Sequence, residues 1–226
     1  MSMHIAVNVE ESLRKEFPDL LALLCKIHGV KVKKSDSSLE KLKDNVTQKV
    51  RKCYIIDSLK DMPVFRAYRD FFWKINMDPT KTRPAAEALI RRILGGGSIP
   101  CINTLVDAYN VASVETMVSL AAFDEDKIKG NLLMRRAKFG EIFLGVGMEK
   151  PKVLRGGEII VVDDEKLIAI YPYRDAEDTK VTLSTANIQL MTCGVPGISL
   201  QLLLNAQKVA SDYITKFCGG LLIPFL

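Results

Sequence analysis

Histidine is almost missing from this chain of 226 residues: only His4 and His28 occur, both near the N-terminus. Imidazole is the side chain whose ordinary pKa lies nearest neutrality, so a reaction needing a general base has little to draw on. Cysteine offers no framework either. The five thiols, Cys25, Cys53, Cys101, Cys193 and Cys218, are odd in number, scattered and without a C-x-x-C pair. That speaks against a zinc site or redox motif and for free thiols in a reducing compartment. Uncharged apolar runs such as residues 20–25 are far too short to span a bilayer. The opening MSMHIAVNVEES lacks the basic region, apolar run and cleavage site of a secretory signal. A cytoplasmic location without a membrane partner is expected. Phosphate-loop, dinucleotide, H-E-x-x-H and G-x-S-x-G signatures are all absent. Gly95-Gly96-Gly97 ends a helix instead of starting one, so it is no phosphate cradle. Neither a cofactor nor a metal is expected.

What is present is ordinary globular material: 48% hydrophobic and 26% charged residues, with a net charge of +5. The length fits one large domain with an N-terminal extension, drawn at residues 1–60 and 61–226. Residues 4–9 read as a strand and 11–17 as a short helix; 20–32 is open between helix and strand. Ser37 with Glu40 forms a capping box for a helix over 37–53. Pro63 opens a second over 62–75. Pro84 opens a third over 85–94, which the glycines stop. A fourth, over 102–112, carries an apolar stripe of Ile102, Leu105, Val106 and Tyr109. From Asn131 the period changes to two, giving strands over 132–136, 142–146, 158–163, 167–171 and 181–190. A helix over 199–217 closes the chain. The fold class expected is α+β, a helical N-terminal half packed on a mainly antiparallel β-sheet and closed by a C-terminal helix.

Three clusters could carry chemistry. Asn103, Asp107 and Asn110 recur at helical spacing and share a polar stripe, which is either a solvated face or a pocket wall. Residues 26–52 hold an excess of cations, among them Lys41, Lys43, Lys49 and Lys52. This is the charge a phosphate backbone requires, and equally that of a solvated lysine-rich helix. Arg174, Asp175, Glu177 and Asp178 crowd a loop between strands, with Thr182 and Thr185 after it. It is a solvated hairpin loop or a set of binding groups held by a rigid sheet.

INTLVDAYNVAS followed by AAFDEDKIKGNLLMRRAKFGE resembles the tRNA-editing domain in the beta subunit of bacterial phenylalanyl-tRNA synthetase. The matching elements are Val106, Asp107 and Asn110, then Ala121-Ala122-Phe123-Asp124, Gly130 and Gly140-Glu141. The D-P-x-K-x-R-P-x-x-E-A-L run from Asp78 to Leu89 is similar to that of freestanding relatives of the domain. The resemblance implies a factor that binds tRNA and hydrolyses the ester of a wrongly charged aminoacyl-tRNA; the alternative is a non-catalytic RNA- or amino-acid-binding module. It implies a pocket between the Asn103/Asp107/Asn110 face and the 174–177 loop. Asn110 would orient ester or water, while Arg174 and Glu177 read the amino acid. Arg135 and Arg136 would reach phosphate, or Arg135 would sit in a buried ion pair. The histidine that opens the family's H-A-F-D run is Ala121 here. Water would therefore be activated by a ribose hydroxyl of the tRNA, or by Asp107 or Asp175.

Overall fold

The computed structural model describes residues 3–225. The chain opens with β1 (Ile5–Ala6), β2 (Asn8–Val9), α1 (Glu11–Glu16) and β3 (Ala22–His28). Four helices follow: α2 (Ser37–Cys53), α3 (Pro63–Lys74), α4 (Ala85–Leu94) and α5 (Thr104–Thr116). Then come β4 (Ser119–Asp124), β5 (Leu133–Arg136), β6 (Ile142–Phe143), β7 (Lys152–Val153), β8 (Ile159–Val162), β9 (Leu167–Ile170), β10 (Arg174–Asp175) and β11 (Asn187–Cys193). The last elements are α6 (Leu200–Cys218) and β12 (Leu221–Ile223). This is an α+β fold.

The first sheet runs β1-β3-β11-β4, with β12 also pairing β3, all antiparallel. The second runs β10-β9-β8-β5-β2, parallel only between β2 and β5. Residues 20–32 thus resolve as a strand, and β3 lies inside the first sheet, paired with the C-terminal half of the chain.

The first sheet is covered on both faces, because successive strand residues point to opposite sides. Cys25, Ile27, Ile188, Leu190, Leu120 and Ala122 join the core beneath α2, α4, α5 and α6. Their neighbours Ala22, Leu24, Met191, Cys193, Ala121 and Phe123 meet the second sheet and α3, which adds Tyr68, Phe71 and Phe72. Each fully buried large side chain contributes roughly 1.5–3 kcal/mol. Burial on both faces explains why β4 went unread: all six residues are buried, so no alternation marks them.

Other boundaries move for local reasons. The N-cap of α2 is Asp36, whose carboxylate accepts from the Ser38 and Leu39 amides at 3.0 and 3.2 Å. Helix α5 starts at Thr104, leaving Ile102 outside it and 56% exposed. Its buried face is Leu105, Ala108, Val111 and Ala112, small enough for close packing on α6. Residues 181–186 form a turn, and the strand expected there starts at Asn187.

Candidate functional site

Between α5 and the two sheets lies a cavity of about 180 Å³. Helix α5 presents Tyr109 and Asn110 to it. Strands β4 and β11 pair Ala121 with Met191 and Ser119 with Cys193, and all four residues line the wall. The turn from Tyr171 to Tyr173 brings Arg174 and Asp175 to the same space, and Ala85 at the start of α4 sits at its edge. The volume is small beside the roughly 300–1,000 Å³ of drug-sized ligand sites and suits one amino acid.

The polar lining is unusual. Ser119 Oγ is buried without a hydrogen-bond partner. Among the described residues the Asn110 amide, the Tyr109 hydroxyl and the Asp175 carboxylate likewise have no partner. Buried polar groups are normally paired, so the orphaned Ser119 hydroxyl stands out, while the half-buried Tyr109, Asn110 and Asp175 keep their polar atoms open to whatever fills the cavity. Asp175 forms no ion pair among the described residues, and desolvation lifts its carboxyl from 3.8 to about 7. Burial, followed by the charge of Asp175, raises the Tyr109 phenol. Cys193 is also raised, first by burial and then by Asp175. The guanidinium of Arg174 turns outward, donating to Val146 O at 2.9 Å and lying 5.1 Å from the Tyr173 ring centroid. Its aliphatic part crosses Gly145, where a Cβ would fall 2.5 Å from Arg174 Cδ.

Of the residues expected from sequence, the cavity gathers Asn110, Arg174 and Asp175. Asn103 is the N-cap of α5, accepting from the Leu105 and Val106 amides at 3.1 and 3.0 Å. Asp107 is buried facing α2. It accepts from Lys43 Nζ and from the Ile102 amide, both at 2.9 Å. The polar stripe divides because three residues turn a helix by about 300°, which rotates Asn110 about 60° away from Asp107. Glu177 lies outside the cavity on a shallow groove with Leu144 and pairs with Lys180. The carboxylate on the cavity wall is Asp175. Thr185 donates to Asp124 Oδ2 at 2.8 Å and accepts from the Thr182 amide at 2.9 Å, so this pair builds the turn before β11.

The cations sort differently from expectation. Lys43 is buried and also donates to Glu40 at 3.0 Å and Cys101 at 3.2 Å, which removes it from any phosphate-binding surface. Its partners hold it protonated, against the opposing effect of burial. Glu40, Cys101 and Asp107 could ligate a metal by spacing, but the Lys43 ammonium already bonds all three. Lys41, Lys49 and Lys52 are exposed on α2. Arg135 forms a two-pronged pair with Glu141 at 2.9 and 2.6 Å, lowering that carboxyl to about 2. Arg136 is held by Glu16 and by Gly157 O. Sequence reasoning missed Tyr109, absorbed into an apolar stripe, and Ser119, on the unread strand. Among the described residues no helix is long and apolar enough to cross a membrane.

The cavity is walled by two mainly antiparallel sheets and a helix, in an α+β domain. The chain belongs to the B3/4 domain family, whose profile matches residues 67–219, from within α3 through the end of α6. It is similar to the phenylalanine–tRNA ligase beta subunit of Fusobacterium nucleatum subsp. nucleatum, 36% identical over 109 residues, covering 48% of this chain and 13% of that protein. It is also similar to the beta subunit of Ureaplasma parvum serovar 3, 32% identical over 137 residues, covering 56% of this chain and 18% of that one. The matches thus span less than a fifth of these relatives' length. The fold is shared with an N-terminal fragment of the phenylalanyl-tRNA synthetase beta-subunit from Pyrococcus horikoshii. There the TM-score is 0.51 at 16% identity, over 96% of this chain and 49% of the fragment.

Proposed function

We propose that this chain binds tRNA and hydrolyses the ester of a mischarged aminoacyl-tRNA, with the amino acid seated in the cavity. The observation carrying this reading is the convergence of Asn110, Tyr109, Ser119 and Asp175, unpartnered, on a space of amino-acid size. The similarity to phenylalanine–tRNA ligase beta subunits supports the choice of ligand. So does the position of Ala121 on the cavity wall, where the resemblance places a histidine.

The chemistry needs few groups. An aminoacyl ester is already activated, so holding water against its carbonyl supplies much of the barrier reduction. Asn110 offers a donor to the carbonyl oxygen and an acceptor to the water. Asp175, half-buried and without an ion pair among the described residues, pairs with the α-ammonium of the amino acid, which in turn favours the ionised carboxylate. Water attacks the carbonyl carbon and gives up its proton while the bond to the ribose oxygen breaks. The neighbouring ribose hydroxyl relays that proton to the leaving oxygen. No imidazole is required.

A panel of mischarged tRNAs, assayed for release of free amino acid, tests the reading. Release from at least one member is expected, and far slower release when the adjacent ribose hydroxyl is removed. Acetylating the α-amine should slow the wild type and leave the Asp175→Asn variant unaffected. Binding of charged tRNA without release from any member would overturn the hydrolase in favour of a non-catalytic module.

A further inference from the structure

Beside the cavity runs a second concavity of about 430 Å³, formed by Lys81, Arg83, Ala88, Arg91 and Arg92. Ala85 edges the cavity and Ala88 lies in this groove, three residues apart on one helix and therefore neighbours on its surface. We propose that the groove holds the sugar–phosphate backbone of the RNA's single-stranded end and leads it to the cavity. The proposal rests on the deacylase reading for the identity of the polymer.

Charge favours a polyanion. Arg83 makes no hydrogen bond or ion pair among the described residues and is exposed. Lys81 reaches only Asp78, at 3.9 Å, with its side chain 85% exposed. Arg92 spends one nitrogen on Ser98 O at 2.9 Å. Arg91 pairs with Glu87 at 2.7 Å, but that buried carboxylate is shared with Arg69 at 3.1 Å and cannot neutralise both. Positive charge therefore exceeds negative over the groove, with Lys81 and Arg83 before α4 and Arg91 and Arg92 in its last turn. Beyond its end the track continues, since Arg51 on α2 donates to Gly96 O at 3.2 Å and Gly97 O at 2.8 Å.

Shape agrees with charge. A ten-residue helix is about 15 Å long, room for a few nucleotides leaving the cavity. The methyls of Ala85 and Ala88 keep the surface low between the cavity and the arginines, so a backbone can pass close. Lys41, Lys49 and Lys52, chosen from sequence, lie on α2 and line neither the groove nor the cavity.

The test compares the intact chain with a Lys81→Gln, Arg83→Gln, Arg92→Gln variant. Affinity for deacylated bulk tRNA is read by fluorescence anisotropy across a salt series. Hydrolysis of a phosphate-free aminoacyl-adenosine, carrying the amino acid released fastest from the tRNA panel, is read in parallel. We expect RNA affinity to fall at least about tenfold and the salt slope to drop by about 2, from three single-strand contacts at about 0.7 each. Cleavage of the small ester should be unchanged. Arg83→Gln alone, which removes no internal contact, should weaken RNA binding about threefold and serves if the triple variant does not fold. Unchanged RNA affinity in both variants, or equal loss in a Lys41→Gln, Lys49→Gln, Lys52→Gln control, would overturn the groove. Groove-dependent binding without any ester cleavage would support the groove and remove the deacylase. Cleavage with groove-independent binding would do the reverse.

Discussion

At the scale of single residues, two polar side chains one turn apart on α5 serve opposite ends, Asn110 at the cavity and Asp107 in the packing against α2. Asn110 has no internal partner, so Asn110→Ala should leave the melting free energy within about 0.5 kcal/mol of wild type. The same change should remove most deacylation, read as single-turnover release. Asp107 behaves in the other sense. Lys43→Met would strand its buried carboxylate and should cost about 3–5 kcal/mol, measured by denaturant unfolding. Asp175 links the site to pH. Its carboxyl is held to about 7 in the fold against 3.8 outside it, so the native state keeps the proton longer. The contribution of Asp175 to stability is then greatest below about pH 4, falls as pH rises toward 7 and levels above. Asp175→Asn should flatten that slope and stabilise the protein near pH 8 by on the order of 2 kcal/mol, after allowance for solvent at the cavity mouth. In the proposed turnover the ionised form meets the ammonium. The rate should therefore rise through neutral pH in the wild type and lose that limb in the variant.

At the scale of elements, legibility followed how local the cause was. Helices α3 and α4 were readable because Pro63, Pro84 and Gly95 punctuate them within a few residues. Helix α2 was found with both ends in place, although its cap is Asp36 and not the Ser37 box. Asp36→Ala should accordingly cost about 1 kcal/mol in thermal melts, and Ser37→Ala much less. Strand β4 was invisible because burial on both faces erases alternation, and that erased Ser119 from the site. Residues 181–186 read as strand by composition, yet Thr182, Thr185 and Asp124 bind each other there and pull the chain into a turn. Asn110 was legible because it lies on a helix with a motif around it. The Lys43–Asp107 pair spans 64 positions, and no periodicity reports a contact that distant.

At the scale of the whole molecule, the cavity is a gap left where three layers meet, and a residue outside it helps to set its width. Tyr68, in the middle of α3, donates its hydroxyl to Cys193 O at 2.5 Å and accepts from the Ser119 amide at 3.1 Å. Ser119 and Cys193 face each other across β4 and β11, and both line the cavity. One phenol oxygen thus takes the place of a rung between the strands, as a spacer in a ladder keeps its rails apart. Tyr68→Phe keeps the ring in the core and removes only that oxygen. The rails are then free to close on each other, with faster exchange of the Ser119 amide in the interval and a narrower seat for the ligand. The expected result is a folded protein that selects smaller amino acids, so that ligand size is tuned from a helix the ligand never touches.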